Sequence, residues 1–403
     1  MKPMAIAARD VIIVGGGIVG LATGWQLLQR RPGTRLLVIE KEPAVASHQT
    51  GHNSGVIHSG LYYKPGSMRA KLCREGGEAL ITFCEAEGVP YDRCGKVVVA
   101  TREEEHPRLE ELHRRGIANG LQGLRWLGPE EIKEFEPHCI GTRALHVPQA
   151  GIVSYRAVAE KYAEKIRAAG GEIALGECVE TIRTAGNVEV VTTKTTHTCR
   201  VLVACAGLQS DRLALQTEPD LPMRIMGFRG EYYELLPEAR KFVRNLIYPV
   251  PDPTFPFLGL HFTRVIDGRI ESGPNAVFAF GREAYTRTGF NLRDTWDAVT
   301  WPGCRTMARK YWRTGLAEFH RSFSKPAFVR TLQRMIPEIR EEHLIPGGAG
   351  VRAMACGRDG NLIDDFHILD SGNVVHVCNA PSPAATASLA IGSTIASLLI
   401  GKL

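Results

Sequence analysis

A glycine-rich turn between a buried strand and a helix constrains the fold of this chain more than any other feature. Residues Asp10–Val14 (DVIIV) form an apolar, β-branched run typical of a buried parallel strand, and Gly15–Gly17 interrupt it. Ile18–Gln29 then has a helical pattern, and Arg35–Glu40 (RLLVIE) predicts a second strand. This order of elements predicts a βαβ unit at the start of the chain.

The turn has the spacing G-x-G-x-x-G, which is typical of dinucleotide binding. Gly15 permits the tight turn, Gly17 lets the backbone approach a pyrophosphate, and Gly20 lets the helix pack closely on the sheet. The helix N-terminus offers N–H groups to the phosphates, and Glu40 is placed to accept hydrogen bonds from a ribose hydroxyl. The predicted contacts in this unit are Gly15, Gly17, Ile18, Val19, Gly20, Glu40 and Lys41.

The fingerprint alone does not distinguish FAD from NAD. A second stretch, Arg200–Asp211 (RVLVACAGLQSD), reads as a buried strand running into a small-residue turn at Ala206 and Gly207. It resembles the second nucleotide-contacting strand of flavoproteins with two dinucleotide folds, although it could also be an ordinary core strand. The order of these pieces favours FAD.

The length of 403 residues predicts two intertwined domains. Elements typical of the nucleotide fold return late in the chain, so we predict an α/β protein with a discontinuous, Rossmann-like FAD-binding domain. The other domain is predicted to bind substrate and to hold a mainly antiparallel sheet with helices. The predicted division assigns residues 1–90, 151–215 and 345–403 to FAD binding, and 91–150 and 216–344 to the substrate domain.

Several classes of protein and site are disfavoured by the composition. Ten cysteines include no CxxC pair, which gives no support to a zinc or thioredoxin site, and we predict no metal. The N-terminal residues are too short and too weakly apolar for a signal peptide, which favours a cytoplasmic protein. The charge-free stretch from Asn373 to Gly401 is interpreted as a buried helix, with a transmembrane helix as the alternative.

Five stretches carry a resemblance to a known family. They are HNSGVIHSGLYYKPGSMRAKLC (52–73), GLHFTR (259–264), LQRMIPEI (332–339), GGAGVRAMACGRDGNLIDDF (347–366) and HVCNAPSPAATASLAIG (376–392). With them the chain resembles the D-amino-acid-oxidase-like FAD oxidoreductases and, among these, the enzymes that oxidise L-2-hydroxyglutarate. The resemblance implies non-covalent FAD and hydride transfer from the substrate to flavin N5, giving 2-oxoglutarate, with quinone or oxygen as the electron acceptor.

Two other functions remain open. The chain could oxidise another small carboxylate or amine, such as sarcosine, glycine or glycerol 3-phosphate. It could also be a flavin-binding assembly factor without turnover. Histidines and Arg352 favour turnover, since a scaffold needs no convergent polar cluster around a flavin.

The oxidation of a small dicarboxylate needs a proton acceptor and cationic or hydroxyl groups for the carboxylates. His58 or His261 is the predicted base, and the resemblance implies that Arg352 binds a substrate carboxylate. Further candidate substrate contacts are Tyr62, Lys64, Arg264 and Asn379. Outside the βαβ unit, the predicted cofactor contacts are His52, Asn53, Ser54, Val179, Ala206, Gly207, Gly350, Ser382, Pro383 and Ala384.

The segment Trp301–Arg340 combines nine lysines or arginines with only two acids, a net charge of +7. It also contains six aromatic residues, and basic plus aromatic composition suits peripheral docking on an anionic membrane. Docking on the cytoplasmic face of the inner membrane would bring a quinone acceptor within reach. The alternative is a solvated basic face with its aromatics in the core. No nucleic-acid recognition motif accompanies the charge, so no nucleic-acid partner is predicted.

Overall fold

A computed structural model describes residues 8–252 and 257–403 of the chain. Its strands, in chain order, are β1 (Arg9–Val14), β2 (Leu36–Ile39), β3 (Val56–Ile57), β4 (Tyr91–Asp92), β5 (Lys96–Ala100), β6 (Arg125–Leu127), β7 (Arg143–Val147), β8 (Gly151–Val153), β9 (Glu172–Ala174), β10 (Val179–Arg183), β11 (Val188–Thr192), β12 (Thr196–Ala204), β13 (Met223–Leu235), β14 (Leu246–Pro249), β15 (His261–Arg264), β16 (Ile270–Gly273), β17 (Val277–Phe278), β18 (Leu344–Gly357), β19 (His367–Ser371) and β20 (Val374–Asn379). Its helices are α1 (Ile18–Arg30), α2 (Met68–Glu87), α3 (His106–Ala118), α4 (Pro129–Phe135), α5 (Tyr155–Ala168), α6 (Ser210–Ala214), α7 (Leu292–Thr300), α8 (Pro302–Phe323), α9 (Lys325–Leu332) and α10 (Ser388–Ile400).

The first sheet is built around β1, which lies parallel to β2 on one side and to β12 on the other. β9 extends the sheet beyond β2, and β20 pairs in parallel with the end of β12. Helices α1, α2, α5 and α10 contribute to the apolar layer on one face, and the β10–β11 hairpin packs on the other. Both faces of β1 are therefore covered, which explains why its sequence is a continuous apolar run.

The second sheet is mainly antiparallel and follows the order β17-β13-β16-β15-β14-β5-β7-β6, with β18 paired along the length of β13. Helix α9 packs on one face through Phe328 and Leu332, while α3 packs on the opposite face through Leu109 and Leu112. A third, small sheet of β3, β8 and β4 joins the two halves of the molecule. The predicted α/β fold with a nucleotide-binding sheet and a separate antiparallel sheet is confirmed.

One part of the predicted domain division differs from the sheet topology. Residues 345–403 were assigned to the FAD-binding part, yet β18 belongs to the second sheet. Its long pairing with β13 places it there, and the chain returns to the first sheet only at β19 and β20. The other boundaries remain a prediction.

Two local turns shape the ends of the first sheet. β9 and β10 are separate strands, because the backbone turns at Gly176 with φ of 64° and its N–H donates to the Glu42 carbonyl. The stretch from Asn373 to Gly401, predicted to be a buried helix, first forms β20, and its helix begins only at Ser388. The preceding turns are held by tertiary bonds of Thr386, whose hydroxyl accepts a hydrogen bond from the His58 N–H.

The predicted closing helix is α10, which packs against α1 so closely that a β-carbon on Gly392 would lie 2.7 Å from the Ala22 carbonyl carbon. Among the described residues no helix is both long and apolar enough to cross a membrane. Residues 1–7, which carry most of the prediction that there is no signal peptide, lie outside the described part of the chain.

Candidate active site

The glycine turn has the geometry that its sequence predicts. Gly15 has φ of 110°, and a β-carbon on it would collide with the Cys205 carbonyl oxygen. A β-carbon on Gly20 would collide with the carbonyl oxygen of Gly15. At Gly17, in contrast, the nearest atom to such a carbon would be Thr50 Oγ1 at 3.5 Å, so space remains above the start of α1. That space and the positive end of α1 fit a pyrophosphate.

Glu40 lies at the end of β2 with only 8% of its surface exposed. Its carboxylate accepts a hydrogen bond from the Gly16 N–H at 2.7 Å and another from the Glu42 N–H at 2.9 Å. A carboxylate can accept further bonds, so Glu40 can brace the turn and still receive a ribose hydroxyl. The N–H of Ile18, a predicted cofactor contact, donates to Thr50 Oγ1 at 3.0 Å.

Lys41, the residue after Glu40, lies in a network of charges beside the turn. Its ammonium is 3.0 Å from a carboxylate oxygen of Glu283 and is also bonded to Glu42. The Glu42 carboxylate lies 2.9 Å from His48 Nε2. These bonds fix Lys41 at the rim of the predicted cofactor site.

The other predicted nucleotide contacts converge on the same turn. The Cys205 N–H donates to the Val14 carbonyl at 2.8 Å, which places Ala206 and Gly207 beside the glycine turn. The Glu177 N–H donates to the Glu40 carbonyl at 2.9 Å, which brings the start of β10 at Val179 towards the end of β2. Three distant chain segments thereby form one cradle.

The loop 48–55 passes between this cradle and the second sheet. The His52 ring lies 4.5 Å from the Tyr285 ring, and a β-carbon on Gly350 would collide with the His52 carbonyl oxygen. Asn53 holds the loop itself, since its amide donates to the carbonyls of Gln49 and Thr50 and its oxygen accepts from the Gly55 N–H. Ser54 is half-buried in the same loop.

His58 joins this loop to the segment before α10. Its Nε2 lies 3.4 Å from Ser382 Oγ, and its backbone N–H donates to Thr386 Oγ1 at 3.1 Å. Pro383 is buried and Ala384 half-buried in the turns that follow. Asn379 is directed elsewhere, because its amide donates to the carbonyls of Ile363 and Asp365, at 2.9 Å each.

One face of the second sheet carries a row of polar side chains. Because side chains alternate between faces, the strand registers place these residues together. β5 pairs with β14, β14 with β15, β15 with β16, β16 with β13, and β13 with β18. The row, here called the polar floor, consists of Lys96, Tyr248, His261, Tyr232 and Arg352.

Of the two predicted bases, His261 is buried and His58 is half-buried, and both imidazoles are neutral at pH 7. Burial lowers the pKa of His58 to about 3, with smaller effects from Lys96, His261 and Arg69. Burial also lowers the pKa of His261 to about 3, and the charges of Arg352 and Lys96 act in the same direction. The His261 ring stacks on Tyr248 at 3.9 Å, and its Nδ1 lies 2.8 Å from the Gly259 carbonyl oxygen. A neutral imidazole with its Nδ1 as donor leaves Nε2 free to accept a proton.

Arg352 lies on β18, at the opposite end of the polar floor from Lys96. It donates to the Asn275 carbonyl at 3.3 Å, and its guanidinium carbon lies 5.6 Å from the centre of the Phe257 ring. Burial lowers the pKa of Arg352. Within residues 8–252 and 257–403 no carboxylate pairs with it, so the guanidinium can receive an anionic ligand.

Lys96 is a site residue that the sequence prediction missed. It begins β5, is only 2% exposed, and its Nζ lies 4.4 Å from the centre of the Tyr62 ring and 4.8 Å from that of Tyr248. The signal that could have found it is a lysine at the head of an otherwise apolar strand, KVVVA. A charged residue in such a run needs a partner or a function.

Two predicted substrate contacts do not reach this group. Lys64 is exposed on the loop before α2. Arg264 is three residues from His261 on β15, so it points to the opposite face of the sheet, where it pairs with Asp92 and lies 3.3 Å from Asn245 Oδ1. Tyr62, in contrast, borders the floor, and its hydroxyl is buried without a hydrogen-bond partner in the described chain.

Comparisons with known proteins are consistent with this geometry. A family model described as FAD dependent oxidoreductase matches residues 10–398. An L-2-hydroxyglutarate dehydrogenase of Indibacter alkaliphilus is 54% identical over 96% of this chain and 97% of its own length. The mitochondrial L-2-hydroxyglutarate dehydrogenase of Homo sapiens is 45% identical over 98% of this chain and 89% of its own. Among solved structures, the L-alpha-glycerophosphate oxidase of Mycoplasma pneumoniae with FAD bound superposes with a TM-score of 0.81 at 22% identity, covering 98% of this chain and 95% of that one.

Proposed function

The chain belongs to the FAD dependent oxidoreductase family, and from that premise we propose that it oxidises L-2-hydroxyglutarate to 2-oxoglutarate. The observation that supports the proposal is the polar floor, in which Arg352, without an ion-pair partner among the described residues, shares one face of the sheet with the neutral His261. A 2-hydroxy acid presents a carboxylate next to the carbon that is oxidised. A cation next to a proton acceptor matches that pair of groups.

FAD fits the cradle formed by the glycine turn, Glu40 and the segment around Gly207. Three observations support the fit: the space above Gly17, the left-handed backbone at Gly15 and Gly207, and the buried carboxylate at the end of β2. When bound, FAD supplies the two-electron acceptor for the hydride that leaves the substrate carbon. The protein has to bind, orient and deprotonate the substrate.

In this arrangement Arg352 binds the carboxylate next to the hydroxyl group of the substrate. The hydroxyl is one carbon away from that carboxylate, so its proton acceptor has to lie close to Arg352. Arg352 is among the groups that lower the pKa of His261 but not among those that act on His58. His261 is therefore the better placed of the two predicted bases, while His58 borders the flavin side with Ser382.

Anaerobic reduction of the purified holoenzyme tests the proposed function. L-2-Hydroxyglutarate is expected to bleach the visible flavin absorbance, whereas the D enantiomer is not. The same panel should include sarcosine, glycine and glycerol 3-phosphate. Bleaching by one of these and not by L-2-hydroxyglutarate would assign the enzyme to another substrate. A protein that binds FAD and is bleached by none of them would be an assembly factor.

We further propose that the electrons pass to a membrane quinone and that helices α7 and α8 dock on an anionic membrane. Each helix has large apolar side chains exposed to solvent, which together form what we call the docking surface: Leu292 (72%), Trp296 (65%) and Val299 (42%) on α7, and Trp312 (55%), Leu316 (61%) and Phe323 (69%) on α8. Exposed apolar surface of this extent is uncommon on a protein that meets only water.

Basic side chains accompany the docking surface. Arg305, Arg309, Lys310 and Arg313 of α8 are all exposed, and the last two lie over the rings of Tyr311 and Trp312. Anionic lipid headgroups complement this charge, and aromatic rings suit the interface between headgroups and acyl chains. The alternative prediction is a solvated basic face whose aromatic residues lie in the core. It holds for Trp301 and Phe328, which are buried, but not for the exposed rings of the docking surface.

A further inference from the structure

Lys96 is a buried cation without a counter-ion. No carboxylate forms an ion pair with it in the described residues, and its Nζ lies over the rings of Tyr62 and Tyr248. Cation–π contacts offset only part of the free energy that the burial of a charged group costs. The charged form of Lys96 is therefore unfavourable in the ligand-free protein, and an anion bound beside it would stabilise that form.

The position of Lys96 relative to the other site residues defines what such an anion can be. In the second sheet, β5 lies two strands to one side of β15, which carries His261. On the other side of β15, beyond β16 and β13, lies β18, which carries Arg352. Both cations act on the pKa of His261, but neither is among the groups that shift the pKa of the other. His261 consequently lies between two cations that are too far apart to repel each other strongly.

A second polar group lies beside Lys96 and also lacks a partner. The Tyr62 hydroxyl is buried and has no hydrogen bond in the part of the chain that the structure describes. Burial raises the pKa of this phenol, so it remains an O–H donor at physiological pH. Buried polar atoms are nearly always hydrogen-bonded in native proteins. An ammonium and an orphan hydroxyl side by side form a site for a carboxylate.

We propose that Lys96 and Tyr62 bind the distal carboxylate of the substrate and thereby select dicarboxylic over monocarboxylic 2-hydroxy acids. This inference rests on the proposed function, because it assigns one end of the same substrate. Arg352 holds the carboxylate next to the reacting carbon, and Lys96 holds the one at the other end of the chain. With both carboxylates bound, the reacting carbon faces His261, and the distance between its hydroxyl and the base is fixed.

Two substrates that differ only in the distal group test the inference. We would measure kcat and KM of wild-type holoenzyme and Lys96→Met with L-2-hydroxyglutarate and with L-2-hydroxybutyrate, using a soluble dye as electron acceptor. Lys96→Met is expected to lower kcat/KM for the dicarboxylate about 100-fold or more, mainly through KM, and to leave that of the monocarboxylate nearly unchanged. Lys96→Arg should recover part of the loss, and Lys71→Met, which changes an exposed lysine on α2, serves as the control.

A binding measurement separates recognition from chemistry and from folding. Glutarate has both carboxylates but no hydroxyl, so it can bind without being oxidised. Its Kd, measured from the change that it causes in the flavin spectrum, should rise about 100-fold in Lys96→Met, while the spectrum without ligand stays unchanged. Tyr62→Phe should raise the Kd by a smaller factor of about 5–10, because one neutral hydrogen bond is lost.

The outcomes distinguish this inference from the proposed function. If L-2-hydroxyglutarate does not reduce the wild-type flavin, the proposed function fails. If it does, but Lys96→Met loses activity equally with both substrates and binds glutarate normally, Lys96 acts on the proton or on the flavin and the inference is wrong. If Lys96→Met does not retain FAD, Lys96→Arg and Tyr62→Phe are measured instead. In both, the ratio of kcat/KM for the dicarboxylate to that for the monocarboxylate must still fall below the wild-type ratio.

Discussion

At the scale of single residues, the site combines cations that lack counter-ions in the described chain with histidines that are neutral. Lys96 and Arg352 are cations without acids in the described chain, and His58 and His261 are histidines that burial keeps neutral. The cations disfavour protonation of the histidines, because a positive charge nearby destabilises an imidazolium. The site is therefore prepared for an anionic substrate and for a proton acceptor at the same time. A bound dicarboxylate would neutralise the two cations and thereby make His261 a stronger base when it is needed.

The pH dependence of catalysis follows from the same charges. Burial lowers the pKa of Lys96 to about 7, so the free enzyme holds this ammonium below pH 7 and loses it above. We expect kcat/KM for L-2-hydroxyglutarate to fall about tenfold per pH unit at alkaline pH, because only the charged form binds the distal carboxylate. The groups that surround Lys96 and could modify this limb are His58, Tyr62, Cys73, Tyr248 and His261.

The variant Lys96→Arg provides the check, since a guanidinium keeps its charge throughout this range. Its pH profile should lack the alkaline limb up to about pH 9. Both histidines, with pKa values of about 3, add no acidic limb above pH 4. An alkaline limb that persists unchanged in Lys96→Arg would assign it to another group.

The site residues show where sequence reasoning succeeds and where it stops. Gly15, Gly20 and Glu40 could be predicted because their roles depend on backbone geometry within one short segment. Lys96 could not be separated from other lysines, because its burial depends on three strands that are distant in sequence. For the same reason Arg264 looked equivalent to other cations until the register of β15 turned it to the opposite face.

At the scale of elements, the approach of α1 to β1 sets the shape of the cofactor site. A helix that starts directly after a strand can lie close to it only where side chains are absent at the contact. Gly20 provides this contact, and Gly24 one turn later also lies close to Leu36 and Ile166. The same close packing places the start of α1, with its positive end, directly under the predicted phosphates.

Replacement of Gly20 by alanine should abolish FAD binding. Its β-carbon would collide with the Gly15 carbonyl oxygen, so either α1 or the glycine turn must move. The matched control is Gly315→Ala in α8, where no atom lies within 4 Å of the added carbon. Alanine there should stabilise the fold by about 0.4–1 kcal/mol, since glycine is a poor helix former. Flavin content after purification and urea unfolding measure the two effects; a yellow, stable Gly20→Ala protein would refute the packing argument.

Most elements could be predicted because their signals are local. α2 is bounded by Ser67, whose hydroxyl accepts from the Ala70 N–H at 3.2 Å, and by Gly88 with φ of 68°. Both are standard helix ends that can be read from the sequence. The start of α10 could not be read in this way, because hydrogen bonds to His58 and Tyr155, far away in the sequence, hold the preceding residues as turns.

At the scale of the whole molecule, the substrate domain has one face that suits a second function. The polar floor lies on one side of the antiparallel sheet, and α7 and α8 bring the docking surface to the outside of the same domain. An enzyme that passes electrons to a membrane quinone benefits from such an attachment, because its acceptor is confined to the bilayer. Attachment through apolar side chains and basic charges is reversible and depends on salt.

Sedimentation with liposomes tests the attachment. The protein is expected to sediment with vesicles that contain anionic phosphatidylserine at low salt, and much less at high salt or with neutral phosphatidylcholine vesicles. The double variant Trp296→Ser/Trp312→Ser should weaken binding at least tenfold, because it removes two exposed rings of the docking surface. Ile117→Ser, which removes an apolar side chain 58% exposed on α3, is the control. Absence of binding to anionic vesicles at low salt would rule out the docking proposal.

The packing of α10 on α1 has a consequence for the synthesis of the protein. The first sheet holds the strand that is made first, β1, yet its neighbours β12 and β20 and its covering helix α10 come from the middle and the end of the chain. On the ribosome, the glycine turn therefore emerges hundreds of residues before the layer that completes it. The nascent chain must keep an apolar strand from aggregating for tens of seconds at ordinary elongation rates, until β12 and β20 have joined β1. Assembly of the cofactor cradle is in this way tied to segments that are synthesised late.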